Sequence, residues 1–425
     1  MRPPRSPRAR RLGRLASMTA QLVRMLDLLA VLDIIKEMEP AVGCQRSTLM
    51  PRERRSWEEY VKPMLGDDTF KLRFRMEHDD FMMLVEMLRK DLQRDVRMGG
   101  LRNGAVPVEY QVALTLRWLA GGSIYEGMDG HVIARSTAYQ TAHRVISAIN
   151  RCSQLNCKWP EGEDAVRAAG LFKNRSSFGV IRKCVGAMDG LFVRIIRPTL
   201  TDAPEPNSYF SGHKKGFGMN FQAICDADYR IIMWTMNCPG SQNDRTAFKF
   251  SGFENILGGL PPDYFIVGDA AYPASDRVLV PFPGTALTTS QDAFNFYLSQ
   301  CRMAIEQTFG MMVRRWGILW RPLEVRLTRA EAVINSIVRL HNFCRERMTE
   351  VPKNDAPGVT PPAGVSFSNN DTLIDKGFFE TVSVRTGRRL KDQMAVSKPR
   401  EYIRRELEIL GMVRPAHNIA RNSAR

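Results

Sequence analysis

The hydrophobic residues of the first 150 positions recur mostly with a helical period. Residues 20–37 predict an amphipathic helix, and residues 57–95 are mostly helical, with 79–89 as the clearest helix. Residues 40–51 between them predict a linker. The apolar stripe of the first helix consists of Leu22, Met25, Leu29 and Leu32.

Residues 107–149 combine longer helical patterns with two breaks. A helix over Val108–Leu119 is followed by a Gly-Gly-Ser break, where Ser123 can cap a short helix, and by a third helix over 136–149. This order is that of the helix-turn-helix motif, whose last helix lies in the DNA major groove. An ordinary helical bundle has the same spacing, so both interpretations stay open. The residues that would meet DNA in the first interpretation are Ser136, Thr137, Gln140 and Arg144.

From position 184 onward the pattern changes to that of strands. Residues 184–196 form an apolar run that contains one carboxylate, and 217–225 alternate in polarity as a half-buried strand does. A turn at 226–228 and a returning strand over 229–237 complete a predicted antiparallel meander of three strands. The polar and irregular residues 151–182 before it predict a linker.

A buried strand and a long helix follow the meander. Residues 264–268 predict a strand of the parallel type that ends at Asp269. Apolar residues at steps of four and three then predict a helix that starts near Ser290, and Glu306 lies about 100° round that helix from the stripe. A last helix over 329–345 closes the region. The stripe consists of Phe294, Leu298, Cys301, Ile305, Phe309, Met312 and Trp316.

The end of the chain predicts a linker and a basic tail. Residues 351–371 are rich in Pro, Gly, Asn and Asp, and a basic helix is predicted over 399–410. The predicted organisation is a basic arm and helix over 1–50, a helical region over 51–150, a linker over 151–182, an α/β domain over 183–346, and a linker with a basic tail over 347–425.

The net charge of the chain indicates which class of molecule it binds. The chain of 425 residues is 44% hydrophobic and 25% charged, which is globular, and its net charge is +16. A positive field of this size attracts polyanions, nucleic acid first and anionic membranes second. The most apolar stretch, 25–35, is too short to span a membrane, and we expect no secretory signal. The eight cysteines lack a C-x-x-C spacing and predict reduced thiols without a zinc site.

The first 24 residues are rich in arginine and contain no acid. Three interpretations of this segment stay open: a transit peptide, a nuclear-import or DNA-contacting arm, and an extension ahead of a true start at Met18.

Three carboxylates lie where apolar stretches end or turn: Asp189, Asp269 and Glu306. Phosphodiester cleavage can use two metal ions about 4 Å apart, and Mg²⁺ prefers oxygen ligands, so such acids predict a metal site for phosphate chemistry. Each acid also has a structural alternative. Asp189 with Gly190 can form a hairpin turn, Asp269 can cap a turn, and Glu306 can pair with Arg302 one helical turn away.

Seven short motifs follow one another between positions 184 and 345. They are GAMDG at 186–190, YFSGHKKG at 209–216, QAICDAD at 222–228, PGSQND at 239–244, VGDAAYP at 267–273, AIEQTFG at 304–310 with Arg315 and Trp316, and LHNF at 340–343. In order and spacing this region resembles the endonuclease domain of the PIF/Harbinger transposases and the Harbinger transposase-derived nucleases. Residues 107–149 resemble the same family more loosely.

The resemblance implies an RNase H-like α/β fold, a mixed sheet with flanking helices, preceded by an all-α region. It implies a DDE triad of Asp189, Asp269 and Glu306 that is catalytic and binds Mg²⁺ or Mn²⁺ for strand cleavage and transfer at transposon ends. Asp244 matches an acid of the family's Pro-Gly-Ser loop and is an accessory candidate, although we favour capping of the following helix as its role.

The resemblance also bears on partners. It implies DNA as substrate, a separate Myb-like DNA-binding partner, a nuclear location and no membrane, and a homo-oligomer is a further expectation. Two departures from the family pattern are Ala271, where glycine is frequent, and Asn243, where histidine is frequent. Further candidates for DNA contact are Lys214, Lys215, Arg314 and Arg315.

Two other functions stay open beside the DDE nuclease. One is a domesticated DNA-binding or regulatory protein that keeps the fold and no longer cuts, and the other is a basic RNA-associated protein without enzymatic activity. The intact triad favours the nuclease. Loss of metal-dependent cleavage in Asp189→Asn would separate it from both.

Overall fold

A computed structural model describes residues 56–94, 105–126, 133–348 and 397–415, and the backbone of 365–367 and 373–375. Residues Glu53–Arg425 form one compact unit. Neither the arginine-rich arm nor the helix predicted over 20–37 lies within the described residues. No helix in the described ranges is both long and apolar enough to cross a membrane.

A helical region precedes the sheet and matches the predicted helices. Helix α1 begins with a capping box, in which Ser56 and Glu59 bond each other's backbone N–H groups. Helices α3, α4 and α5 pack against one another, so the predicted first and third helices of the 107–149 segment are confirmed. The helices are α1 (Trp57–Gly66), α2 (Thr69–Phe74), α3 (His78–Leu92), α4 (Val108–Leu119) and α5 (Arg135–Arg151).

A mixed sheet of six strands follows. The order is β4-β3-β1-β5-β6, with β2 beside the start of β3. Strands β1, β3 and β4 are antiparallel, which confirms the predicted meander, whereas β5 and β6 run parallel to β1. This topology agrees with the RNase H-like fold. The strands are β1 (Cys184–Arg194), β2 (Phe210–Ser211), β3 (Gly216–Cys225), β4 (Ile231–Pro239), β5 (Phe265–Val267) and β6 (Val278–Leu279), and a separate pair is β7 (Val365–Phe367) with β8 (Leu373–Asp375).

Helices cover both faces of the sheet because side chains of β1 alternate between two apolar clusters. Ala187 and Leu191 share a cluster with residues of α9 and α10, and Val185 and Met188 share the other with residues of α6, α7 and α8. These helices, with α11, are α6 (Glu163–Lys173), α7 (Asp244–Ser251), α8 (Phe253–Gly258), α9 (Thr289–Arg315), α10 (Leu327–Glu346) and α11 (Lys398–Ile409).

Helix α6 corrects the prediction of a linker over 151–182. It packs against β1 and buries Ala165, Ala169 and Phe172. The segment escaped recognition because small alanines carry much of its buried face, and a stripe of alanines gives a weak periodic signal.

Helix α9 crosses β1, β3 and β5. It begins at Thr289 rather than Ser290 because Thr288 and Gln291 form a capping box. The seven apolar positions predicted from the sequence are all buried.

The basic tail predicted near the C-terminus also contributes to the fold, because α11 packs on α9. Ile403 and Leu407 are buried on that side. Beyond the helix, Arg414 donates two hydrogen bonds of 2.8 and 2.7 Å to the carboxylate of Asp292 on α9. Residues 397–415 therefore brace the helix that carries Glu306.

Truncating the buried face of α11 should lower stability strongly. Leu407 is 1% exposed, so we expect Leu407→Ala to reduce the free energy of unfolding by about 2–4 kcal/mol in urea denaturation. Ile409 on the same helix is 83% exposed, and Ile409→Ala should change it by no more than about 0.5 kcal/mol. Equal effects of the two substitutions would contradict the docking of α11.

Candidate active site

Two aspartates lie level with each other, Asp189 inside β1 and Asp269 in the turn that follows the neighbouring parallel strand β5. Ala187 of β1 pairs with Val267 of β5, and Asp189 and Asp269 each follow that pair by two residues. Asp189 lies inside β1 and pairs with Ala223 of β3, so the hairpin-turn alternative is wrong. By strand alternation Asp189 shares its face with Ala187 and therefore faces α9.

Asp189 is a buried carboxyl group in an acidic setting. It is 5% exposed, and its Oδ1 accepts a 2.8 Å hydrogen bond from the backbone N–H of Gly190. Burial raises the pKa of Asp189 well above its ordinary value, and the charge of Asp269 raises it further. Arg302 partly offsets both effects. A carboxylate here is therefore favourable only with a cation beside it.

Asp269 occupies the turn that follows β5. Its Oδ1 accepts a 2.8 Å hydrogen bond from the backbone N–H of Ala271, so the turn-capping alternative is confirmed. That role does not remove Asp269 from the site, because its charge still acts on Asp189. Ala271 is not among the residues with positive φ, so alanine causes no backbone strain where the family often has glycine.

Glu306 lies on α9, which packs against β1 and β5, and its carboxylate forms an ion pair with Arg302 four residues earlier. The ion-pair alternative is therefore confirmed. Within residues 56–94, 105–126, 133–348 and 397–415, no three His, Cys, Asp or Glu side chains come close enough together to hold a metal ion. The three acids thus share one region but do not converge on one point.

Asp244 belongs to this region, and its predicted capping role is wrong. Asn243 caps α7 by accepting a hydrogen bond from the N–H of Thr246. The Asp244 carboxylate instead accepts hydrogen bonds from the side-chain amides of Asn220, at 3.1 Å, and Gln222, at 2.9 Å. Asn243 takes over the cap. The Asp244 carboxylate lies on the side of the sheet that Gly190 and Gln222 face, opposite to the side of Asp189, and its charge still raises the pKa of Asp189.

Asp244 is held by a buried hydrogen-bond relay, which runs from Tyr272 through Gln222 to the Asp244 carboxylate. The Tyr272 hydroxyl donates to the Gln222 side-chain oxygen at 2.5 Å, and the Gln222 amide donates to Asn220 and Asp244. Burial, followed by the charges of Asp244, Asp189 and Asp269, raises the pKa of Tyr272, so the phenol stays protonated and donates. The sequence signal for this relay was a glutamine at an inward position of an otherwise apolar strand.

Gly190 makes room for this arrangement. A Cβ atom at position 190 would lie 2.6 Å from Gln222 Nε2 and also collide with Asp244. We expect Gly190→Ala to lower the free energy of unfolding by about 1–3 kcal/mol, measured by chemical denaturation. Gly170 in α6 has open space around it, and Gly170→Ala should raise stability by roughly 0.5–1 kcal/mol. Destabilisation of similar size at both positions would contradict the crowding at Gly190.

The DNA candidates of the helical region lie on α5. Ser136 and Gln140 are exposed, and Thr137 and Arg144 are half-buried. Arg135, which sequence reasoning missed, lies over the exposed rings of Tyr125 and Tyr139 at 5.2 and 5.9 Å. The outward side of this helix is thus polar and aromatic.

Two of the four basic candidates from the family motifs are buried, which corrects the prediction that they contact DNA. Lys214 is 6% exposed, and Arg315 is 1% exposed and donates a hydrogen bond to the backbone carbonyl of Arg75. Lys215 is exposed and Arg314 is half-buried. Of these four residues, only Lys215 and Arg314 can reach a phosphate backbone in this conformation.

Comparisons with known proteins agree with this geometry. Residues 188–342 match the family model described as DDE superfamily endonuclease. The chain is 25% identical over 312 residues to "Protein ALP1-like" of Arabidopsis thaliana, covering 68% of this chain and 74% of that protein. It is 24% identical over 316 residues to "Putative nuclease HARBI1" of Mus musculus, covering 72% and 84%. No solved structure matches the chain. These likenesses confirm the resemblance seen in the sequence and support a function of the nuclease or transposase type.

Proposed function

From this kinship with the DDE superfamily endonucleases, we propose that the chain is a metal-dependent DNA endonuclease that cleaves, and transfers, phosphodiester strands at transposon ends. The observation that carries the proposal is the buried Asp189 level with Asp269, with Glu306 on the helix that faces them. Such a concentration of negative charge is costly to fold unless it serves a cation.

The donor set fits a hard divalent cation. Asp189, Asp269 and Glu306, with Asp244 as an accessory, offer carboxylate oxygens alone, which suits Mg²⁺ or Mn²⁺. The guanidinium of Arg302 is a stand-in cation in this structure, since it pairs with Glu306 and its charge lowers the pKa of Asp189. When bound, a pair of such ions supplies an activated water and stabilises the leaving oxygen of the phosphodiester.

The chain's own side chains would orient the reaction. The Tyr272–Gln222 relay fixes the Asp244 carboxylate, and the strand backbone around Gly190 fixes Asp189. Exposed polar and basic residues on α5 and around the sheet would hold the DNA backbone by charge. The proposed contacts are Ser136, Thr137, Gln140, Arg144, Lys215 and Arg314.

We also propose the setting in which the chain acts. It works in the nucleus, assembles with copies of itself, and relies on a Myb-like partner to recognise its DNA site. The net charge of +16 supports DNA as the polyanion it meets.

A second candidate function is a DNA-binding protein that no longer cuts. The observation in its favour is the Glu306–Arg302 ion pair, which engages one acid of the triad with a protein cation. Both candidates keep the basic surface, so DNA binding alone does not separate them.

Manganese binding followed by cleavage tests the proposal. Mn²⁺ titrated into the full chain, followed by water-proton relaxation, should show saturable binding that is lost in Asp269→Asn. Asp263→Asn, which changes an exposed carboxylate paired with Lys183, is the control and should bind as the wild type does. Nicking of plasmid DNA should then require Mg²⁺ or Mn²⁺ and Asp269. Equal binding in all three proteins with no nicking would favour the non-cleaving function.

A further inference from the structure

Arg302 pairs with one of the three candidate acids, Glu306. It lies one helical turn before Glu306 on α9, and its Nη2 pairs with the Glu306 carboxylate. Its side chain is 22% exposed, and its Nε is buried without a hydrogen-bond partner in the described part of the chain. The guanidinium is therefore held at the Glu306 carboxylate.

This arrangement conflicts with a ready-made metal site. A bridging role requires Glu306 to face the same point as the two aspartates, yet its carboxylate is engaged by Arg302. It also leaves the described acids short of the close grouping of three that a metal ion needs. A divalent cation bound by Glu306 would meet the positive charge of Arg302 at short range, because the guanidinium pairs with that carboxylate.

We propose that Arg302 is a positioning residue that holds Glu306 in a closed pair until a divalent cation displaces it. The inference rests on the proposed function. Arg302 thereby stabilises the metal-free protein and weakens metal binding. Metal entry transfers Glu306 from the guanidinium to the ion, so a complete site forms only when enough cation, or cation with DNA, competes for it.

Arginine suits this role better than lysine. Its guanidinium stays charged at any accessible pH and presents five donors in a plane, so it can serve carboxylates on two sides at once. Lysine offers a compact charge at a single point. The two cations should therefore differ in how firmly they hold Glu306, although both repel a metal ion.

The test compares Mn²⁺ affinity and thermal stability in full chains carrying Arg302→Gln, Arg302→Lys or the control Arg167→Gln. Arg167 pairs with Asp164 on the exposed side of α6, and its replacement should change neither quantity. Arg302→Gln should bind Mn²⁺ about tenfold more tightly than the wild type, because a competing charge is gone. Without metal it should melt several degrees lower, and saturating Mn²⁺ should close that gap. Arg302→Lys should fall between the two in both measurements.

The outcomes separate this inference from the proposed function. If the wild type binds Mn²⁺ through Asp269 and Arg302→Gln binds equally or more weakly, the inference is overturned and the metal site stands. If no variant shows Asp269-dependent binding, the metal-dependent function fails and the inference fails with it. Should Arg302→Gln not fold, Arg302→Lys decides: affinity no higher than that of the wild type overturns the inference.

Discussion

Replacing Asp189 with asparagine should abolish metal-dependent cleavage while it stabilises the metal-free protein. On the proposed function we expect the rate of strand cleavage to fall on the order of 10³-fold or more, because an uncharged amide would replace a carboxylate that we propose as a ligand of the cation. Asparagine keeps an oxygen that can accept the hydrogen bond from the Gly190 N–H, so the strand should persist. The thermal midpoint without metal should rise, because a buried charge beside Asp269 and Asp244 has been removed.

The pH dependence of stability gives a second readout for the same substitution. The pKa of Asp189 is raised in the folded protein by burial and then by Asp269. The stability linked to a raised carboxyl pKa is fully present below the unfolded pKa of about 3.9 and is lost as pH rises through the folded pKa. The metal-free wild type should therefore lose stability over that range relative to Asp189→Asn.

Melting curves in EDTA at a series of pH values, together with plasmid-nicking rates in Mg²⁺, test both expectations. Asp228→Asn is a suitable control, because Asp228 lies in the exposed turn between β3 and β4 and its side chain is 57% exposed. A variant at Asp189 that cleaves as the wild type does would remove Asp189 from the catalytic set. A variant that melts lower without metal would contradict the cost of burying its charge.

The sequence predicted which strands and which helix carry the three acids, because the local pattern of apolar and polar residues encodes these elements. An aspartate within an apolar strand, another at the end of a buried strand and a glutamate beside a helical stripe are visible without knowledge of contacts. The partners of these acids depend on tertiary packing and were less predictable. The Arg302 pair was visible as an i,i+4 spacing, but the effect of the Arg302 charge on the pKa of Asp189 was not.

Competition between neighbouring residues explains most of the remaining differences. Asn243 and Asp244 are both residue types that cap helices. Asn243 is the cap here, because the Asp244 carboxylate accepts hydrogen bonds from Asn220 and Gln222 instead. The sequence predicted α11 as a helix of a basic tail. Its few apolar residues do not by themselves predict packing, because the surface that buries them is provided by α9. Burial of a cation such as Arg315 is likewise invisible in composition.

Replacing the two adjacent arginines at the end of α9 should therefore change the free energy of unfolding to very different extents. Arg315 is buried and bonds the backbone carbonyl of Arg75, which links the sheet domain to the helical region. Arg315→Ala removes that hydrogen bond and opens a cavity, so we expect the free energy of unfolding to fall by about 3–5 kcal/mol. Arg314→Ala should change it by no more than about 0.5 kcal/mol.

Salt dependence of DNA binding distinguishes the same pair. If Arg314 contacts a phosphate, Arg314→Ala should reduce the slope of log affinity against log salt concentration by about 1. Arg315→Ala should leave the slope unchanged at temperatures where it stays folded, because a side chain inside the protein releases no counterion from DNA. Urea denaturation and fluorescence anisotropy with labelled DNA at several salt concentrations measure both quantities. A reduced slope with full stability in Arg315→Ala would mean that this side chain leaves the interior to meet DNA, and the junction with the helical region would then have to open on binding.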